Sequence, residues 1–324
     1  MQVRDDDAAR FADLVRTATS IAIGAHVDPD GDAVGSTLGL VLALRKIGII
    51  AVPVIASSDR APETYAFLPG AELYRSAGDV EAPDLFIALD TPSFVRLGAA
   101  ESLARSANHL VVIDHHPDNA RFGSVCLVDS TASSVGTMVW GLLETLGIEP
   151  DADIATCLYT ALVTDTGRFS YSNTTPRALR TAADMIGHGI DVQQIFTNIY
   201  ESRSAGALAL IGRTLERITC VDDGEIAYSW VDDDDFAETG ALKSEGENLI
   251  DEVRAIRGAR IVFLMKRSAD SVRVSLRAKA AADVGCVARS YGGGGHAAAA
   301  GFTFEGDSDA LLATLLPALR AALA

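Results

Sequence analysis

Short apolar runs, most of them closed by an acid or a histidine, recur through the first half of the chain. Ser20-Ile-Ala-Ile-Gly-Ala25, Ala51-Val-Pro-Val-Ile-Ala56, Asp84-Leu-Phe-Ile-Ala-Leu-Asp90, His109-Leu-Val-Val-Ile-Asp114 and Ser124-Val-Cys-Leu-Val128 read as buried strands. Helical periodicity falls between and after them, over 8–18, 33–47, 133–147, 152–164, 176–188 and a long stretch from Val192 to about Ile218. Strands alternating with helices predict an α/β domain with a mostly parallel sheet and helices on both faces. After residue 218 the pattern changes. A hairpin is expected over 219–231 around Asp223-Gly224, a helix over 245–257, strands over 260–266 and 271–277, and a helix over 281–290. The glycine run Gly292–His296, a strand near 300–304 and a last helix complete a smaller α+β domain. The division expected is 1–191, a helical linker 192–218, and 219–324.

Composition narrows the classes. With 324 residues and 48% hydrophobic content, the chain can build about two cored domains. No apolar run reaches the ~18 residues of a membrane span, and Met1-Gln-Val-Arg-Asp-Asp-Asp lacks the pattern of a signal peptide. Cys126, Cys157, Cys220 and Cys286 form no CxxC pair and read as reduced, buried thiols of a cytoplasmic protein. A net charge of -17 disfavours long duplex nucleic acid as a partner. Cations concentrate between Arg254 and Lys279, whereas carboxylates concentrate early, which suits metals in one half and substrate phosphates in the other.

The chemistry-bearing residues stand where apolar elements end. Asp114-His115-His116 closes a strand and is cut off by Pro117. His26, Asp30 and Asp32 surround a tight loop between a strand and a helix. That loop is either a solvated turn with Asp32 capping the helix or a metal loop, since imidazole and carboxylate together suit divalent transition metals. Asp90 ends another core strand, and Asp165 ends an apolar helix beside Gly167. Each alone has a bland reading as a cap or turn. Together with His115 they form a set that buried carboxylate repulsion would disfavour and divalent cations would relieve. The set suffices for a two-metal centre of the kind that hydrolyses phosphoesters, with His116 free to touch a phosphate oxygen or the leaving group. In the second half, Gly293, Gly294, Gly295 and His296 read as an anion nest or as a flexible loop; Arg273 and Arg277 on a nearby strand favour the nest.

The stretches His26-Val-Asp-Pro-Asp-Gly-Asp-Ala-Val-Gly-Ser36, Ala88-Leu-Asp90, Val112-Ile-Asp-His-His-Pro117, Thr164-Asp-Thr-Gly167 and Gly293-Gly-Gly-His-Ala-Ala-Ala-Ala-Gly301 resemble, in order, the motifs of the DHH/DHHA1 phosphoesterases, and within them the nanoRNase/pAp-phosphatase group. The resemblance implies two Mn²⁺ per chain, or other divalent transition metals. His26, Asp30 and Asp90 would hold one, and Asp32, Asp90, His115 and Asp165 the other, with Asp90 as the bridge. It also implies that Asp114 orients His115 or its neighbour, that His116 acts on the phosphate, and that His296, its glycines and Arg277 hold a terminal phosphate, with domain closure gating turnover. No metal-ligand position of the family pattern is missing. The implied activity is hydrolysis of very short RNA, linear dinucleotides and 3′-phosphoadenosine 5′-phosphate (pAp), with cyclic di-AMP as a further substrate, by a cytoplasmic homodimer. Rival readings are another phosphohydrolase on the same core, a single-strand exonuclease or pyrophosphatase, and a nucleotide-binding regulator without catalysis.

Overall fold

The computed structural model describes residues 5–56, 60–246, 249–279 and 282–323, and the chain divides into two units, Met1–Glu201 and Ser202–Ala324. The first unit contains α1 (Asp5–Thr17), β1 (Ile21–Gly24), α2 (Gly31–Lys46), β2 (Ala51–Ile55), β3 (Arg75–Ser76), β4 (Leu85–Leu89), α3 (Glu101–Ser106), β5 (His109–Asp114), β6 (Val125–Val128), α4 (Val135–Leu146), α5 (Ala152–Asp165), α6 (Pro176–Gly187) and α7 (Val192–Tyr200). Its strands lie in the order β3-β2-β1-β4-β5-β6, and every neighbouring pair is parallel.

Both faces of this sheet are covered, as the near-continuous apolar strands require. Ile23, Ile87, Ile113 and Leu127 pack against α1, α2, α4 and α5. Ala22, Phe86, Ala88 and Val112 face Leu97, Leu103 and Ala104 on the other side. Helix α2 is buried nearly all round, which explains its lack of a polar face. It lies against α5 along Gly31, Gly35 and Gly39, spaced by one ridge of the helix. A Cβ at these positions would overlap the Thr164 side chain, the Cys157 carbonyl and the Leu158 side chain respectively. This close approach sets the first turn of α2 beside the last turn of α5.

The second unit contains α8 (Ala205–Glu216), β7 (Thr219–Val221), β8 (Ile226–Asp232), α9 (Asp233–Thr239), α10 (Leu249–Arg254), β9 (Ile261–Arg267), β10 (Ser271–Ala278), α11 (Val284–Ser290), β11 (Gly294–His296), β12 (Ala299–Glu305) and α12 (Ser308–Leu323). The order is β11-β12-β10-β9-β8-β7. Only β8 and β9 pair in parallel; the other neighbours are antiparallel. Phe263, Val274 and Phe302 meet α11 and α12 on one face, while Val262 and Leu264 meet Leu210 and Ile250 on the other.

Three expectations change. The stretch 192–218 is not one helix: α7 ends at Tyr200, and Ser204 caps a new helix by accepting the Ala207 N–H. Ile195 and Ile199 belong to the first core, Leu210 to a second. The cysteines are not uniformly buried; Cys157 is, Cys126 is half-buried, and Cys220 on an edge strand and Cys286 on a surface helix are exposed. The run Gly292–His296 is not a flexible loop. Gly292 and Gly293 donate their N–H groups to Arg289 and Ala288 at the end of α11, and residues 294–296 pair with 299–301 as a hairpin.

Candidate metal centre

Strand order builds the site. β1, β4 and β5 are adjacent and parallel, so the residues that leave their C-terminal ends emerge side by side, about 5 Å apart per strand. His26 follows β1, Asp90 follows β4, and Asp114, His115 and His116 follow β5. Asp90 lies between two imidazoles: its Oδ2 is 3.5 Å from His26 Nε2, and its Oδ1 is 3.5 Å from His115 Nε2. Asp30 Oδ1 lies 3.9 Å from His26 Nε2. On the other side, Asp32 Oδ2 is 3.8 Å and Asp165 Oδ2 3.9 Å from His115 Nε2. Among the described residues, His26, Asp30 and Asp90 offer donor atoms within 4.8 Å of one another, and so do Asp32, Asp90 and His115. Asp90 is common to both groups.

Both histidines are held with Nε2 toward the carboxylates. His26 Nδ1–H donates to Val27 O at 2.7 Å, and His115 Nδ1–H donates to Ala132 O at 3.2 Å. In the neutral tautomer with the hydrogen on Nδ1, each Nε2 lone pair faces the carboxylates and is open to a cation, the arrangement in which a backbone carbonyl fixes the tautomer. The two loop acids divide their work differently from the capping reading. Asp30, not Asp32, caps α2, accepting the N–H groups of Asp32 and Ala33. Asp32 caps another helix: its oxygens accept the N–H groups of Val135 at 2.6 Å and Gly136 at 2.9 Å, at the start of α4. Ser134 is the N-cap of α4, accepting from Thr137.

The charges do not balance by hydrogen bonding alone. Asp90 is 2% exposed, and its Oδ1 is buried without a hydrogen-bond partner. Its backbone sits at φ 51, a strained conformation for a residue with a side chain, costing about 1–3 kcal/mol. Burial raises the Asp90 pKa, but the neighbouring His115 and His26 imidazoles outweigh it and hold the group well below the usual carboxylate range. Burial and the Asp90 charge push Asp32 upward, and burial together with Asp30 and Asp90 raises Asp165 to about 6. Burial opposes charge on His26, yet Asp90 and Asp30 raise its pKa to about 9. An orphaned carboxylate oxygen, two outward lone pairs and clustered acids form a donor set that fits hard-to-borderline divalent cations.

Beside this cluster, Asp114 is fully buried and serves His116, not the His115 ring. Its Oδ1 accepts His116 Nδ1–H and the His115 backbone N–H, each at 2.8 Å. The pKa of His116 is raised: burial opposes the charge and Asp114 overcomes it.

The family model described as "DHH family, N-terminal domain" matches residues 20–162, and the "DHHA1 domain" model matches residues 223–323. A curated relative from Thermus thermophilus, named bifunctional oligoribonuclease and PAP phosphatase NrnA, is 33% identical over 93% of this chain and 89% of its own. The chain belongs to the DHH/DHHA1 phosphoesterase family. A relative of the same name from Bacillus subtilis is 30% identical, covering 94% of this chain and 96% of its own. The solved structure of an exopolyphosphatase-related protein from Bacteroides fragilis aligns with a TM-score of 0.88 at 23% identity, over 99% of this chain and 97% of that one.

Within the DHHA1 region, register organises the candidate phosphate contacts. His296 on β11 and Arg277 on β10 are each the direct partner of Ala299 on β12. They therefore flank a small residue on one face of the sheet. Arg277 is half-buried, donates from Nη1 to Leu276 O, keeps Nε without a hydrogen bond, and lies 3.9 Å from Asp251. The glycines serve backbone packing: a Cβ on Gly293 would overlap Gly301 O, and one on Gly295, at φ 127, would meet Ala299 O. The anion-nest role falls away for Gly293, whose N–H is committed to Ala288.

Two asparagines of the first unit were not anticipated. Asn119 Nδ2 donates to Asp114 Oδ2 at 2.6 Å and to Thr91 O at 3.0 Å, tying the ends of β4 and β5. Asn173 Nδ2 lies 3.1 Å from Asp165 Oδ2, Asp165 O and Ser133 O. It reaches back because Gly167, Arg168 and Phe169 form a left-handed turn, at φ 54, 61 and 61. Neither carries periodicity; the polar loops after Pro117 and Tyr171 were the only signals. Phe169 packs against the core beside Tyr159.

Proposed function

We propose that the protein is a Mn²⁺-dependent phosphoesterase of small nucleotides, acting on very short RNA, linear dinucleotides and pAp, with cyclic di-AMP as a further substrate. The observation that carries this reading is Asp90, buried between two histidine–carboxylate groups with one oxygen unsatisfied. In the proposal His26, Asp30 and Asp90 would hold one cation and Asp32, Asp90, His115 and Asp165 the other, with Asp90 serving both. When bound, such a pair offsets phosphate charge and lowers the pKa of a water, which is the chemistry phosphoester hydrolysis needs.

The side chains supply the rest. His26 and His115 present Nε2 because Val27 O and Ala132 O fix their tautomers. As the attacking oxygen bonds to phosphorus and the ester bond breaks, His116 gives its Nε2 proton to the leaving oxygen, while its Nδ1–H stays on Asp114. His296 and Arg277 take a terminal phosphate, with Arg277 providing the fork geometry that suits phosphate oxygens. Gly294 and Gly295 contribute by keeping the hairpin flat beside that phosphate. A cytoplasmic homodimer completes the proposal; free thiols at the surface suit a reducing compartment, and sedimentation would test the dimer.

The test is product release from pAp, pApA and cyclic di-AMP in Mn²⁺, beside EDTA and Asp90→Ala. Turnover of any of them, abolished by both treatments, is expected. No turnover of all three with metal bound would overturn the reading.

A further inference from the structure

Arg96 follows β4 by seven positions, in a short 3-10 segment, Phe94–Ala100. Two contacts place it. Its carbonyl accepts the Val27 N–H at 2.8 Å. Gly98, at φ 55, leaves the space that the Val27 side chain occupies; a Cβ there would overlap Val27 Cγ1. The guanidinium is thereby brought to the edge of the His26 ring, with Nη2 3.5 Å from His26 Nδ1. That approach is not a hydrogen bond when His26 is a ligand. The Nδ1 hydrogen is then given to Val27 O, so two donors face each other.

Among the described residues, Arg96 is exposed and has no carboxylate paired with it, in a chain whose net charge is -17. An exposed cation beside a carboxylate cluster would ordinarily turn to one of its acids. Asp30 and Asp90 instead turn to His26 Nε2, on the other side of the ring. The arrangement leaves a forked donor, with no carboxylate of its own, at the Nδ1 edge of the ring whose Nε2 edge faces Asp30 and Asp90.

We propose that Arg96 binds a non-bridging oxygen of the substrate phosphate held at that cluster. The inference rests on the metal-dependent phosphoesterase reading and names a residue for the phosphate that the reading does not. Arginine suits the role because its planar fork can hold two oxygens of one phosphate, whereas lysine offers a point charge.

The test compares wild type, Arg96→Ala and Arg96→Lys, each loaded with Mn²⁺. Binding of inorganic phosphate, kept below the solubility limit of manganese phosphate, is measured by calorimetry, and bound manganese by elemental analysis. Arg96→Ala is expected to raise the phosphate Kd at least ten-fold and the KM for pAp with it. Arg96→Lys should recover part of the loss, and both variants should bind as much manganese as wild type. An unchanged phosphate Kd in Arg96→Ala overturns the proposal. So does a loss of manganese in that variant, which would make Arg96 a support for His26 alone. Wild type that neither binds phosphate nor hydrolyses pAp with metal present overturns the phosphoesterase reading itself.

Discussion

In the first unit, the polar side chains of interest stand at strand ends; in the second, they stand on a strand face. His26, Asp90 and His115 converge because β1, β4 and β5 are neighbours in a parallel sheet, although the three residues are far apart in sequence. His296 and Arg277 converge because both are register partners of Ala299. The first arrangement buries charge, and its geometry depends on keeping opposite charges in balance. The second is half-exposed and depends on ladder pairing and on glycines that let backbones touch. A change of charge should therefore injure the first unit's function, and a change of backbone volume should injure the second's.

Asp90 gives the largest contrast. Asp90→Asn keeps the shape but removes the charge shared by both histidine groups. Loss of one preorganised charge-stabilising group costs about 10²–10³ in kcat, and Asp90 serves both groups, so a fall of about 10³-fold is expected. Arg277→Gln, on the strand face, should act mainly on KM. Equal kcat losses in the two variants would erase the distinction between strand-end and strand-face groups.

Packing glycines come next. In Gly35→Ala the new Cβ meets the Cys157 carbonyl, and in Gly293→Ala it meets the Gly301 carbonyl. Each should cost about 1–3 kcal/mol as an overpacked contact, read by thermal or denaturant unfolding. Their second readout should differ. Gly35→Ala spreads α2 from α5 and pulls Asp32 from Asp165, so manganese content falls. Gly293→Ala should leave manganese content at the wild-type value. Equal metal loss in both would break the comparison.

The clustering of the strand-end residues was legible because each closes an apolar run. A run's end is visible in sequence, and a parallel sheet gathers such ends at one edge. Strands 21–24, 51–55, 85–89, 109–114 and 125–128 fall where the apolar runs put them. The helix pair α7 and α8 was merged in the sequence reading because periodicity continues across the break; only Ser204 marks a new cap. The glycine run did not reveal its hairpin, because an anion nest and a flat hairpin need the same residue. Arg96, Asn119 and Asn173 carried no periodic signal. Their roles arise from loops that double back, and no local pattern encodes which carboxylate or imidazole such a loop will meet.

Asn119 is a smaller lever on the same strand-end site. It holds Asp114 and Thr91 and through Asp114 fixes His116. Loss of a partner that orients a functional side chain costs about 10–100-fold. Asn119→Ala should therefore lower kcat on pApA by about that factor. An aryl ester of a nucleotide, whose leaving group needs no proton, should lose much less. Equal loss on both substrates would show that Asn119 merely supports the fold.

The smallest effect is the pH dependence of stability, and it too separates the units. In the metal-free protein, His26 has its pKa raised from 6.5 to about 9; burial opposes the shift and the Asp90 and Asp30 carboxylates drive it. The folded state then binds a proton that the unfolded state has released, so this stabilisation is complete below 6.5 and fades as the pH approaches 9. Asp165, raised from 3.8 to about 6 chiefly by burial, acts in the same direction over its own range, because its charged form is disfavoured in the fold. Both make the metal-free first unit less stable as pH rises. Metal binding runs the other way, since its ligands must be deprotonated. The Tm gained on adding Mn²⁺ should accordingly widen from pH 6 to pH 9. Unfolding of the second unit, followed by amide exchange in β9 and β10, should show no such widening. A gain that stays flat across this range would mean that the His26 and Asp165 charges are not coupled to the metal.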